Sequence, residues 1–182
     1  MAKKVKFGFK NLYYAPITDE GYGTPVHIPG AVSMTLSKAG EDLNFYADDM
    51  AFFKESVNNG YDGSIEVALL PDQFKVDCLG FSIDDNGVLV ENANGVQKAF
   101  AMLAEFTNDD GATRLALLNC MASRPEIGSS TKTDTKEVRT ETIDITVRPN
   151  ANGIVQYTTT DTVDSTTYSG WFSAVYEGTA SI

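Results

Sequence analysis

AFAMLAEFTNDDGATRLALLNCMA, residues 99–122, contains two apolar runs joined by the short polar linker TNDDGA. The second run, residues 114–122, is apolar on both faces, which is typical of a central strand that is covered on both sides. The first run, residues 99–106, is predicted to be its antiparallel partner, because Asp110-Gly111 tolerates the positive φ of a tight hairpin turn. The two runs therefore predict a buried β-hairpin at the centre of the fold.

Three other segments alternate apolar and polar residues, which is typical of strands with one buried face. They are residues 31–37, 64–70 and 142–148. The residues predicted to face inward are Val32, Met34, Leu36, Ile65, Val67, Leu69, Ile143, Ile145 and Val147. Asn-Gly pairs at 59–60, 86–87, 94–95 and 152–153 supply tight turns between strands. Together these features predict a mainly β protein, an antiparallel β-sandwich or partial barrel.

Helices have a smaller place in the predicted fold. Residues 71–80, PDQFKVDCLG, predict one flanking α-helix, since Pro71 suits a first helical turn and Gly80 suits a C-terminal cap. A second, shorter helix is predicted within residues 164–178, where Asp164 or Ser165 would cap its start. The polar segments 40–63 and 128–142 are predicted to be loops, although the Thr-rich second segment could extend two strands.

The length and composition indicate one soluble domain over residues 1–182. The chain is 42% hydrophobic and 21% charged, near the average of folded soluble proteins. The single histidine, His27, lies between two prolines, and the two cysteines, Cys78 and Cys120, form no metal-binding pair. No phosphate-binding glycine motif occurs. We therefore predict no enzyme activity, no catalytic residues, no metal and no cofactor, and we expect both cysteines to be buried free thiols.

Charge is unevenly distributed along the chain, whose net charge is −11. Residues 1–40 carry five lysines and two acids, whereas residues 41–110 carry fifteen acids and three lysines. The negative excess argues against binding to nucleic acid or to anionic membranes. Two interpretations stay open. The acidic segment is a solvated face that aids solubility, or a basic N-terminal segment meets an acidic patch on a neighbouring copy.

Aromatic residues are concentrated in two segments that otherwise look exposed, residues 1–14 and 40–63. Such rings either fold back on their own domain or dock on another subunit. In the second case the candidate assembly residues are Phe7, Phe9, Tyr13, Tyr14, Phe45, Tyr46, Phe52, Phe53 and Tyr61.

Seven stretches, spread over nearly the whole chain, share a pattern with one known family. They are KVKFGFKNLYYAPIT at 4–18, YGTPVHIPGAVSMTLS at 22–37, GEDLNFYADD at 40–49, NNGYDGSIEVALLPDQF at 58–74, LGFSIDDNGVLVENAN at 79–94, TRLALLNCMASRP at 113–125 and SSTKTDTKEVRTETIDIT at 129–146. In these stretches the chain resembles the phi13-type major tail proteins of long, non-contractile-tailed bacteriophages. None of the stretches contains a catalytic motif.

The resemblance implies a structural protein with a tail-tube-like fold, one β-sandwich with a flanking helix at about 71–80. In such proteins hexameric rings stack into a hollow tube, and strands of every subunit join an inner β-barrel. For this chain we expect an N-terminal arm at 1–14 and a long assembly loop at 40–63. The implied partners are further copies of the chain, a tape measure protein, and tail initiator and terminator proteins. The implied location is the virion tail, assembled in the host cytoplasm.

DNA passes through the lumen of such a tube without specific binding, and an acidic lumen would repel its phosphates. The candidate lumen-facing acids are Glu41, Asp42, Asp62 and Glu66. Two other functions are considered. A tail terminator or completion protein would form one ring and stop, and a β-sandwich carbohydrate-binding module would be a monomer. The second of these would not account for the acidity of residues 41–110.

Overall fold

Strands dominate the structure, which is a computed structural model. It describes residues 5–40, 42–47, 50–109, 111–128 and 139–178. Within these ranges it describes the backbone alone for residues 42–47 and 51–56, and the side chains as well for all the others. The strands are β1 (Lys6–Thr18), β2 (Gly21–Tyr22), β3 (Val26–Ile28), β4 (Ala31–Lys38), β5 (Asp42–Ala47), β6 (Met50–Ser56), β7 (Tyr61–Val67), β8 (Ser82–Ile83), β9 (Leu89–Val90), β10 (Phe100–Asn108), β11 (Gly111–Ala122), β12 (Glu141–Val147) and β13 (Gln156–Thr158). The helices in these ranges are α1 (Asp72–Leu79) and α2 (Ser165–Gly170). The predicted mainly β, antiparallel fold is confirmed.

The main sheet has nine strands in the described ranges and follows the order β2-β1-β10-β11-β12-β7-β4. β3 also pairs with β1, and β13 also pairs with β11. β5 with β6 and β8 with β9 form separate two-stranded sheets. The predicted central hairpin is β10–β11, in which Asn108 lies opposite Gly111 and only residues 109 and 110 connect the strands.

The central strands β1, β10 and β11 are covered on both faces, as the sequence predicts for β11. On one face Met102 and Leu117 belong to the main core, which also contains Ile65 from β7 and Ile143 from β12. On the other face lies a second, smaller core. Its residues from the strands and from the C-terminal segment are Ala15, Ala101, Leu103, Ala116, Leu118, Trp171 and Val175. The small alanine side chains leave room for the large indole ring of Trp171, which packs against this face of the sheet.

Helix α1 closes one end of the main core. Phe74 is fully buried and makes edge-to-face contacts with Tyr14 and Phe100, at ring-centroid distances of 5.0 and 5.3 Å. Gly80 ends the helix in the left-handed conformation, with φ 77°, as a C-terminal cap glycine is expected to do. The predicted helix at 71–80 is thus present, with Pro71 as the residue that precedes its first turn.

Helix α2 begins at a capping aspartate and is fastened to the sheet by an arginine. The Asp164 carboxylate accepts hydrogen bonds from the backbone N–H groups of Thr166 and Thr167, each at 2.9 Å. Arg114 of β11 donates to Glu105 at 2.9 Å and to the backbone carbonyl of Tyr168. Its guanidinium also lies 3.8 Å from the centroid of the Tyr168 ring. One cation therefore joins the central hairpin to α2.

The strand alternation predicted from sequence fails at two residues. Val32 is exposed because the register of β4 shifts between Ala31 and Ser33, which rotates the start of the strand. Leu69 is also exposed, because β7 ends at Val67 before the chain turns into α1. Leu70 takes the buried position instead. Its backbone N–H donates to Glu141 at 2.8 Å.

Two predicted irregular segments are strands. Within the segment 40–63, β5 and β6 pair with each other, and residues 61–63 belong to β7. A register shift between Phe45 and Tyr46 breaks the alternation of β5. Because strands are predicted from regular alternation, this segment was predicted to be a loop. Residues 6–14 of the expected arm lie in β1 and pair with β10, while residues 1–4 lie outside the described residues. Register shifts and the positive φ of Gly8 and Asn11 interrupt the alternation of β1, so the sequence pattern did not predict this strand.

Replacement of Gly80 tests how closely the chain must approach itself at the end of α1. A Cβ at Gly80 would lie 2.7 Å from the carbonyl oxygen of Val96, whereas a Cβ at Gly87 would meet open space at nearly the same positive φ. Gly87→Ala is expected to cost about 1 kcal/mol, the penalty of the left-handed backbone for an L-residue. Gly80→Ala should cost distinctly more, measured by urea unfolding followed through the fluorescence of Trp171. Equal losses in the two variants would contradict the close approach.

Candidate functional site

The strands β12, β7 and β4 lie side by side and present a polar face on the side away from the core. Alternate residues of all three strands point to this side. The polar face consists of Ser33, Thr35, Ser37, Asp62, Ser64, Glu66, Thr142, Asp144 and Thr146. Pairing aligns them in rows across the sheet, so that Asp144, Ser64 and Thr35 lie next to one another. The alternation that buries Ile143, Ile145 and Val147 therefore builds this face as well.

Each of the three rows of the polar face contains one carboxylate, from Glu66, Asp144 or Asp62. Asp62 forms an ion pair with Arg148 at 2.7 Å. Glu66 accepts hydrogen bonds from the hydroxyls of Thr140 at 2.5 Å and Ser33 at 3.0 Å. These two hydroxyls, Thr140 first, lower the pKa of the Glu66 carboxyl, because they stabilise its charged form. Glu66 accordingly keeps its negative charge to lower pH than an ordinary glutamate does.

β4 ends the main sheet, and β1 lies close to it without pairing with it. Within the described ranges β4 forms backbone pairs with β7 on one side, and no strand pairs with its other side. Edge strands offer rows of N–H and C=O groups to another chain, and lysines or bulges usually protect them. Here the register shift lies near Val32 and Lys38 is the last residue, so Ser33–Ser37 form a regular edge between them.

The predicted assembly aromatics of β1 have different environments. Phe7 is 54% exposed, whereas Phe9 is half-buried, with its ring centroid 5.7 Å from that of Phe106. Tyr13 packs between His27 and Phe172 of its own chain, at 4.8 and 4.9 Å.

Tyr14 is fully buried in the core. Its hydroxyl donates to Asp77 at 2.8 Å. This corrects the expectation that Tyr14 contacts another subunit, because a tyrosine enclosed by its own domain has no surface left to offer. Tyr61 packs half-buried against the main core.

The other predicted site residues lie mostly in the β5–β6 hairpin. Phe45 and Phe53 are opposite each other in the pairing of the two strands. Side chains of Asp42, Phe45, Tyr46, Phe52 and Phe53 are outside the described part of the structure, as is the whole of Glu41.

Two of the four candidate lumen acids, Asp62 and Glu66, share the polar face. Sequence reasoning did not select Asp144, which lies on the same face. Only the pairing of β7 with β12 puts it there.

Both cysteines are free and buried. Burial raises the pKa of the Cys78 thiol to about 12 and raises the pKa of Cys120 strongly as well, because a thiolate is poorly solvated in the core. In the described ranges no group of His, Cys, Asp and Glu side chains is arranged to hold a metal ion. In the same ranges no helix has the length and hydropathy to cross a bilayer.

The hydroxyl partners of Glu66 make a testable prediction about its ionisation. Thr140→Val should raise the pKa of Glu66 back towards the ordinary glutamate value, and Ser33→Ala should do so to a smaller degree. Because the pKa is depressed in the folded state, this carboxylate favours folding above the ordinary glutamate pKa and loses that effect as the pH falls through the folded value. An NMR titration of the Glu66 side-chain carboxyl carbon measures both variants. An unchanged pKa in Thr140→Val would refute the assigned hydrogen bond.

Comparisons with known proteins give a likeness among solved structures. No family model matches the chain, and no curated protein matches it. Among solved structures it is similar to a chain in the "Cryo-EM structure of the anti-feeding prophage (AFP) baseplate, 6-fold symmetrised", at 7% sequence identity. The match covers 90% of this chain and 99% of the other, with a TM-score of 0.49.

Proposed function

We propose that this chain is the major tail tube subunit of a long, non-contractile-tailed bacteriophage, a structural protein without catalytic residues or cofactors. Its copies form hexameric rings that stack into a hollow tube for DNA. The observation that carries the proposal is the polar face of β12, β7 and β4, which ends at an open strand edge. The resemblance of the sequence to phi13-type major tail proteins supports the same function.

The open edge of β4 provides the means of closing a ring. A strand of a neighbouring copy that pairs with Ser33–Ser37 would continue the sheet from one subunit into the next. Repetition of this contact around an axis gives a closed barrel, in which no strand edge is left exposed. The apolar side of β4, with Met34 and Leu36 half-buried against the core, fixes which side of the strand faces outward from the domain.

The composition of the polar face suits the lining of a channel for DNA. Its ionisable members are Asp62, Glu66 and Asp144, and its other members are serines and threonines. Negative groups repel phosphates, so a duplex would pass without being held. Of the three, Asp62 is paired with Arg148, which leaves the charge of the face negative but moderate.

The β5–β6 hairpin supports the role proposed for the segment 40–63. It connects β4 to β7 and forms a two-stranded sheet apart from the main sheet. A two-stranded hairpin is only marginally stable alone in water, so contacts with another copy would stabilise it. Within the same proposal, the chain works with a tape measure protein and with tail initiator and terminator proteins, in a virion tail assembled in the host cytoplasm.

Electron microscopy tests the proposal directly. The purified chain, negatively stained over a concentration and salt series, is expected to form hollow tubes with a regular axial repeat. Single rings that do not stack would favour a terminator or completion protein instead. A chain that stays monomeric throughout the series would contradict the tube and lead to measurements of glycan binding.

A labelling experiment tests which face lines the lumen. Thr146→Cys places a thiol on the polar face, and Ser169→Cys places a matched thiol on the exposed side of α2. In monomers both variants should react with a maleimide that carries a long polyethylene glycol chain, while the buried Cys78 and Cys120 stay unreactive. In assembled tubes only Ser169→Cys should still react with this reagent, although a small maleimide labels both. Reaction of Thr146→Cys in tubes would assign the polar face to the outer wall.

A further inference from the structure

The chain between α1 and β10 forms an ordered excursion that is mostly exposed, and of its residues Phe81 packs half-buried against the main core. Residues 81–97, here called the 81–97 loop, contain β8, β9 and the turn between them. None of these residues is buried. Several of them are nevertheless large and apolar: Ile83 is 53% exposed, Val88 55% and Val96 74%. Exposed aliphatic groups clustered in one ordered segment are typical of a contact surface for another molecule.

Specific contacts fix the shape of the 81–97 loop. At its base the backbone N–H of Lys98 donates to the carbonyl of Cys78 at 2.9 Å, and Gly80 lies close to Gly95 and Val96. At its tip the Asp84 carboxylate accepts hydrogen bonds from the backbone N–H groups of Asn86 and Val88, at 2.9 and 2.8 Å. A surface organised before binding loses little conformational entropy when a partner covers it.

The charge of the 81–97 loop restricts its partner. It carries Asp84, Asp85 and Glu91 and contains no lysine or arginine. Glu91 is paired with Arg124 at 2.6 Å, which also ties the loop to the segment after β11. Two such loops would repel each other, so a symmetric loop-to-loop contact is disfavoured. The fitting partner surface is apolar and positively charged.

The start of β1 has these properties. Val5 is 58% exposed and Phe7 is 54% exposed. In the sequence Lys6 lies between them, and Lys10 follows three residues after Phe7. Residues 1–10 contain four lysines and no acid. Two carboxylates lie near: Asp109 accepts a hydrogen bond from the backbone N–H of Val5, and Glu105 forms an ion pair with Lys10 at 3.3 Å. Against the four lysines of residues 1–10, these two acids reduce the positive charge of the segment and leave a smaller excess. The start of β1 thus complements the 81–97 loop in both hydropathy and charge.

The two surfaces lie apart on one chain. α1, from which the loop starts, packs against Tyr14, seven residues along β1 from Phe7. At about 3.3 Å per residue this is roughly 20 Å. A single copy can therefore offer both surfaces at once to two different neighbours.

We infer that the 81–97 loop of one copy docks on the start of β1 of a second copy. The contact joins unlike surfaces, so it repeats from copy to copy and builds a stack rather than a closed pair. The inference rests on the proposed tube function and assigns the surfaces through which successive rings meet. It also gives a role to the basic N-terminal segment and the acidic middle segment of the sequence.

Two surface variants, alone and mixed, test this contact. Val88→Asp disables the loop, and Phe7→Asp disables the start of β1. Neither variant should form tubes, because each lacks one half of the contact. In an equal mixture, the intact loop of the Phe7→Asp variant can dock on the intact β1 start of the Val88→Asp variant. Assembly should stop after this one contact, so light scattering after size exclusion should show twice the mass of either variant alone. Val26→Asp, an exposed valine outside both surfaces, is the matched control and should assemble like the wild type.

The outcomes separate this contact from the tube itself. Normal tubes from Val88→Asp, or a mixture no larger than its components, would overturn the contact and leave the tube function standing. A wild-type chain that never assembles would overturn both. Circular dichroism and thermal unfolding of each variant confirm that loss of assembly is not loss of fold. Since the surfaces carry opposite charge, assembly of the wild type should also weaken as salt increases.

Discussion

Burial of the β10–β11 hairpin on both faces is the constraint on which the rest of the structure depends. A strand pair enclosed in this way needs one layer from β12, β7 and α1 and another from the C-terminal segment. Polar groups within it must find partners inside the fold. Glu105, whose side chain is only 5% exposed, meets Arg114 at 2.9 Å and Lys10 at 3.3 Å. Removing one partner of such a pair typically costs about 3–5 kcal/mol, so the hairpin also fixes where β1 and α2 lie.

This central constraint leaves the far side of the sheet free to differ. Apart from the exposed Val32, β12, β7 and β4 contribute their apolar residues to the shared core and keep polar residues on the outside. Such a face needs no cover from its own chain. The open edge of β4 is then the place where the sheet can continue into another molecule. Assembly by strand addition would leave the core of each subunit unchanged.

The sequence predicted regular elements well and irregular strands poorly. Strict alternation in 142–148 identified β12, and the two apolar runs identified β10–β11, because burial imposes a period of two on a strand. The strands β1 and β5 were not predicted, because register shifts at residues 10–13 and 45–46 interrupt that period. At the candidate site, Asp62 and Glu66 were placed on one face by alternation within β7. The position of Asp144 on this face follows only from the pairing of β12 with β7. Tyr14 was wrongly predicted to contact another subunit, because the presence of aromatic residues does not show which side of a strand is buried.

The two enclosed thiols have a consequence for the life of the protein outside a cell. Cys78 and Cys120 lie in the main core and stay protonated, and oxidants and disulfides react with exposed thiolates. Under the proposed function, a tail that leaves a reducing cytoplasm for aerated surroundings would therefore form no disulfide bonds between its subunits. The subunits would then be held together by noncovalent contacts both before and after that change of surroundings.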